Sequence, residues 1–269
     1  MNPIKQYLEK SKQIIQTVES QSEDIQTAAK WFAESILKDR MVHVFGSGHS
    51  RIMVEEMWPR YGSFPGFNPI VELSLSFHNL VVGANGQRQA MFLENVSGLA
   101  ERILRNFDLS DQDSALVISS SGSSIVSIEM AEIFQKNNIK VVALTTKSSA
   151  KTSTSNRKDG KKLHDFADLV LDTGAPAGDA MVEIPNLITK VAPGSTVGGV
   201  LLINCIKAEV ARLLTEAGSP PKVLTDSASV GELESRELFE SAYDEHAHRL
   251  AKLYENIGSN SNHSKNKNV

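Results

Sequence analysis

The chain predicts an α/β fold: a three-layer αβα sandwich around a five-stranded parallel sheet, with a long N-terminal helix and a C-terminal helical extension. Three observations carry this reading. Five short apolar runs, at 41–45, 70–75, 115–118, 141–144 and 169–171, are continuous rather than alternating, as in strands buried on both faces. Each is followed by turn or helix signals, the layout of parallel strands joined by helices. Long helical patterns open and close the chain.

The first pattern runs over residues 4–38. Apolar residues from Ile4 to Leu37 recur there at mixed steps of three and four, and residues 20–22 offer a breakpoint. The strands follow. The segment 147–162, rich in Lys, Ser and Thr, reads as a polar loop. An apolar helix begins at Ser195 and runs to about Leu214, with Ser195 or Thr196 as its N-cap. Gly198 and Gly199 weaken a helix, so close packing or a ligand must justify them. Pro220 and Pro221 break the chain, and 233–254 reads as a last amphipathic helix. Residues 1–257 are expected to form one domain, and 258–269 (SNSNHSKNKNV after Gly258) is compositionally a disordered tail. There is no internal repeat and no dinucleotide fingerprint.

Composition excludes several classes. Of 269 residues, 41% are hydrophobic and 22% charged, which is ample for a core. A net charge of −4 gives no footprint for nucleic acid. No apolar run approaches the roughly 20 residues that span a bilayer. The N-terminal sequence lacks a signal-peptide layout, so a cytoplasmic location is expected. Cys205 is the single cysteine, which excludes intrachain disulfides and argues against a thiolate zinc site. No metal and no cofactor are expected.

The most informative segment is 113–124. The third apolar run ends in Ser119, Ser120, Ser121, Gly122, Ser123 and Ser124, and an amphipathic pattern starts at Ile125. A serine loop at a helix N-terminus presents hydroxyls and backbone N–H groups to one point, where the helix dipole adds positive potential. Capping alone would need one serine. Five in six positions favour binding of a phosphate or another dianion. The first strand runs into Gly46, Ser47, Gly48, His49, Ser50 and Arg51, where the glycines allow a tight turn and a close backbone approach. In a parallel sheet both loops fall at the carboxyl edge of the strands, where ligands bind.

Glu55 and Glu56 lie on the helix after that turn. Either one is a partly desolvated general acid or base facing the pocket, or both are solvated. His78, after the second strand, sits at the same sheet edge and suits proton transfer near neutral pH, against the common alternative of a structural histidine. Glu94, in the next helical stretch, is a weaker candidate. His246 and His248, two apart on a helix, share no face and make a poor zinc pair. Asp244 and His248, at a spacing of four, suit a surface ion pair.

These motifs resemble those of SIS (sugar isomerase) domain proteins, whose phosphosugar-binding fold is flavodoxin-like. The segment 118–124 is similar to the I-S-T-S-G-N-S loop of phosphoheptose isomerases, which implies that Ser119, Ser120, Ser121 and Ser124 hold a sugar phosphate. Residues 55–61 and 65–67 resemble their E-E-L-x-G-R-Y and P-G-Y, which places their catalytic glutamate on Glu56. Residues 74–78 resemble their S-D-V-S-H. The histidine those enzymes carry four residues before the glutamate is Ile52 here, and their second catalytic histidine has no match in 196–214. Residues 192–196, with Ser195 and Thr196, resemble the T-G-S-T segment of N-acetylmuramic acid 6-phosphate etherases, and 49–52 resemble their S-G-R-L. The likeness overall is to the UPF0309 family.

The resemblance implies a phosphorylated sugar or amino sugar as ligand and a homodimer or homotetramer, with no nucleic-acid or membrane partner. The leading reading is a cofactor-independent sugar-phosphate isomerase, with the serine loop as anchor, Glu56 as base and His78 as shuttle. The alternatives are an amino-sugar-phosphate etherase or lyase and a non-catalytic sugar-phosphate-binding regulator.

Overall fold

Five parallel strands form the centre of the computed structural model, which describes residues 2–76 and 86–257. They are β1 (Val42–Gly46), β2 (Phe67–Ile70), β3 (Ser114–Ile118), β4 (Lys140–Thr145) and β5 (Leu169–Asp172), in the order β2-β1-β3-β4-β5. The register runs Val42 to Ser114 and Ser114 to Lys140. Side chains alternate between two cores. Val44, Leu116, Ile118, Val142 and Leu144 face one side. Phe45, Ala115, Val117, Val141 and Ala143 face the other. Helices cover both, giving the expected three layers.

On the first face lie α1 (Pro3–Glu19), α2 (Ser22–Leu37), α3 (Arg51–Met57), α9 (Ser195–Glu216) and α11 (Glu232–Tyr254). Asn2 starts α1 by accepting from Ile4 N at 2.8 Å, with Pro3 at the first helical position. The α1–α2 break falls at Ser20 and Gln21. Gln21 is buried, donates to the Thr17 and Asp172 carbonyls, and accepts from Asp172 N at 2.7 Å. One side chain thus pins the helix corner to the end of β5. Arg249 of α11 is also buried and donates to the carbonyls of Ile36 and Arg40, satisfying the C-terminus of α2.

On the second face lie α6 (Leu99–Leu104) and α7 (Ile125–Lys136). Preceding them are α4 (Leu73–Ser76) and α5 (Gln87–Leu93). At the amino edge of the sheet, His43 is fully buried between Asp113 (3.2 Å) and Asn68 (3.0 Å) and stacks on Phe134. Arg40 grips both oxygens of Asp113. Burial alone would raise the Asp113 carboxyl, but His43 and Arg40 hold it at about 2.

Three expectations need correction. The second strand is 67–70, not 70–75: Glu72 accepts from Ser74 N and Oγ and turns the chain into α4. Its Pro69 is tolerated because β2 is an edge strand. The 147–162 segment is not a plain loop. It forms α8 (Lys147–Thr152) and is tied down by Lys162 Nζ on the carbonyls of Ala150 and Ser153 and by Arg157 on Glu132. His248 approaches Asp39 at 3.5 Å rather than Asp244. An antiparallel hairpin of β6 (Ala180–Val182) and β7 (Val191–Pro193), and a short α10 (Ser227–Val230), complete the chain.

Candidate functional site

The strand order reverses between β1 and β3, because β2 lies on one side of β1 and β3 on the other. In such a sheet the loops leaving those two strands splay apart and open a crevice at their carboxyl ends. The turn after β1 and the serine loop after β3 form that crevice, a cleft of about 500 Å³. Ser47, Gly48, His49 and Ser50 line one wall, and Ser119, Ser120, Ser121 and Ser124 the other. Ser195 and Thr196, at the start of α9, line a third. Gly46 and Gly122 shape the walls from behind. A Cβ on Gly46 would lie 2.7 Å from the Ser50 carbonyl oxygen, and Gly122 turns the serine loop at a φ of 63°.

The serine loop is a closed hydrogen-bonded set. Ser120 Oγ pairs with Thr146 Oγ1 at 2.9 Å, which pairs with Thr173 Oγ1 at 2.7 Å. Ser121 Oγ pairs with Ser123 Oγ at 2.8 Å, and Ser119 N donates to the Leu144 carbonyl. The amides of Ser120, Ser121 and Ser124 have no acceptor among the described residues. The first turn of α7 differs. Ile125 N approaches Asn95 Oδ1 at 3.5 Å, and Val126 N donates to the Glu94 carbonyl at 2.9 Å. The donors left open to the cleft are therefore the loop amides and hydroxyls, with the helix contributing its dipole.

That same Val126–Glu94 bond fixes Glu94, which follows α5. Its side chain lines the cleft and accepts from Ser47 Oγ at 2.8 Å. Burial pushes its carboxyl above the ordinary glutamate range, and the single serine hydrogen bond only partly offsets this. Glu94 is the carboxylate that the sequence ranked low and the fold brings to the serines.

Glu55 and Glu56 lie elsewhere. On α3, Ile52, Glu55 and Glu56 follow helical steps of three and four, so they share a face. That face lines a separate groove of about 550 Å³ with Arg60, Tyr61 and Phe239, while Met53, on the other side of the helix, lines the cleft. Glu56 accepts from Arg60 at 2.5 Å and from Asn204 at 2.8 Å. Burial would raise its carboxyl, but those bonds, with the charges of Arg60 and Lys207, hold it below the glutamate range. Lys207 is itself buried on α9, and its Nζ donates to the Glu56 carbonyl and Ser63 Oγ. Arg51 does not line the cleft; its Nε lies 3.7 Å from Glu55. His78 lies outside the described residues.

The start of α9 also departs from expectation. Gly194, not Ser195 or Thr196, is the N-cap. Asp179, from the turn before β6, supplies the capping oxygens instead. Its Oδ1 accepts from Gly194 N (3.0 Å) and Ser195 N (2.6 Å), and its Oδ2 from Ser195 Oγ (2.8 Å). The two helical glycines are explained by packing: a Cβ on Gly198 would fall 1.8 Å from the Thr173 carbonyl oxygen, and one on Gly199 would fall 2.9 Å from Met53 Sδ. Both neighbours line the cleft, so this close approach sets its width.

The SIS-domain family model matches residues 6–146. A UPF0309 protein of Halalkalibacterium halodurans is 32% identical over 211 residues, covering 78% of this chain and 84% of that protein. The chain belongs to the SIS-domain family, as a UPF0309 protein. Another UPF0309 relative, from Geobacillus kaustophilus, is 31% identical over 221 residues, covering 82% of this chain and 86% of its own. A phosphoheptose isomerase structure from Francisella tularensis is similar with a TM-score of 0.49 and 19% identity, covering 78% of this chain and 96% of that one. The serine loop lies within the SIS match, whereas Asp179 and α9 lie beyond it. Asp179 gave no sequence signal, because the helix it caps begins sixteen residues later.

Proposed function

We propose that this SIS-domain protein binds a phosphorylated sugar in the serine cleft and isomerises it by proton transfer, with Glu94 as the base. One observation carries the reading. The same cleft holds a serine loop with open amides and a desolvated carboxylate whose side-chain partner among the described residues is Ser47. The loop would anchor the phosphate and supply binding energy for the reacting carbons. Glu94 as carboxylate would take the proton from the carbon beside the carbonyl, giving an enediol, and return it to the neighbouring carbon. A raised pKa favours this, because a base poised nearer neutrality both accepts and returns the proton. His49, beside Ser47 in the same cleft, is the candidate for moving the proton between the two oxygens. The atoms balance without an external reactant.

A thermal-shift panel of hexose, pentose, heptose and amino-sugar phosphates tests the binding step. At least one should raise Tm, by the equivalent of about 2.7 kcal/mol at a hundredfold excess over Kd, while its unphosphorylated sugar does not. The double variant Ser120→Ala, Ser121→Ala should lose most of the shift. A panel in which no phosphorylated sugar moves Tm would refute the proposal.

A further inference from the structure

We infer that the end of the cleft away from the serine loop excludes a second anion, so that the ligand is a sugar monophosphate whose remaining carbons carry hydroxyl or amino groups. The inference rests on the serine loop taking the phosphate. Its own basis is charge. Among the described lining residues two are carboxylates, Glu94 and Asp179, and none is lysine or arginine; His49 is the one side chain there able to carry positive charge.

The cleft has a second place where an anion would ordinarily settle, the N-terminus of the 22-residue helix α9. Asp179 already occupies part of it. Its two oxygens take the Gly194 and Ser195 amides and the Ser195 hydroxyl, so an anion approaching the remaining first-turn amides, those of Thr196 and Val197, would meet a carboxylate beside them. A second anion would lose the donors that Asp179 takes and face a full negative charge, while a hydroxyl or ammonium group would find acceptors. On this account N-acetylmuramic acid 6-phosphate, whose lactyl ether carries a carboxylate, is rejected, although residues 192–196 resemble a segment of the enzymes that cleave it. Bisphosphates are rejected for the same reason.

Calorimetry on the full chain with sorbitol 6-phosphate and 6-phosphogluconate isolates this effect, since the pair differ only in a hydroxymethyl group against a carboxylate. Sorbitol 6-phosphate should bind at least tenfold tighter at low ionic strength, and salt should narrow the gap. Asp179→Asn keeps an acceptor for the α9 amides and should cut the gap below threefold. Glu94→Gln provides a second reading should Asp179→Asn fail to fold. Glucose 6-phosphate against glucose 1,6-bisphosphate puts the same question to a ring form. Equal or tighter binding of the doubly anionic partner by the native protein would overturn the inference and leave phosphate anchoring intact. A gap unchanged in both variants would also overturn it. Absence of binding by any sugar phosphate would overturn the anchoring itself.

Discussion

Glu94 and Glu56 are both glutamates near the carboxyl edge of one sheet, yet their surroundings oppose each other. Glu56 has a guanidinium, an amide and a nearby buried ammonium, and its proton is held off. Glu94 has a serine hydroxyl and a desolvated wall, and its proton is retained more readily. A carboxylate surrounded by cations is a structural acceptor, because giving up its charge would strand those partners. A carboxylate stabilised mainly by one hydroxyl can change protonation at little cost. The difference teaches that a motif match identifies a helix, while the environment decides which acid on the sheet edge is available for chemistry.

The largest expected effect separates the two acids directly. In deuterated water, a turned-over sugar phosphate should gain label at the carbon beside its carbonyl. Glu94→Gln should slow that exchange by roughly 10²-fold or more, and Glu56→Gln should stay within about threefold. The reverse ranking, read by NMR, would invert the comparison. The next effect is on stability. Lys207→Met removes a buried donor to Ser63 and the Glu56 carbonyl, and should cost about 1–3 kcal/mol in urea unfolding. A smaller effect is the pH profile. In the proposed role Glu94 acts as the carboxylate, so exchange should rise with pH through a midpoint above the ordinary glutamate range. Ser47→Ala removes a bond that favours the charged form and should move that midpoint higher still. The smallest is Arg60→Ala. Arg60 is about half exposed, so its loss should cost under about 1 kcal/mol and leave ligand binding unchanged.

Much of the frame was legible because it is written in local patterns. The strands β1, β3, β4 and β5 coincide with continuous apolar runs, and α9 and α11 begin within one residue of their sequence signals. β2 was misplaced because Asn68 and Pro69 interrupt its pattern, which only an edge strand allows. The serine loop and the Gly46 turn were legible as clusters of one residue type at strand ends. Glu94 was not, since its value comes from a backbone bond between the end of α5 and the start of α7, which no spacing encodes. Glu56 was legible as a motif but not as a direction: the face of α3 that carries it points away from the cleft that Met53 lines.

The most direct test of the account is a crystal structure with glucose 6-phosphate, or the tightest ligand of the thermal-shift panel, soaked in. The account predicts phosphate oxygens within hydrogen-bond distance of the Ser120, Ser121 and Ser124 amides, with the sugar carbons passing beside Glu94. Phosphate bound instead at Arg60, in the groove that holds Glu56, would contradict it.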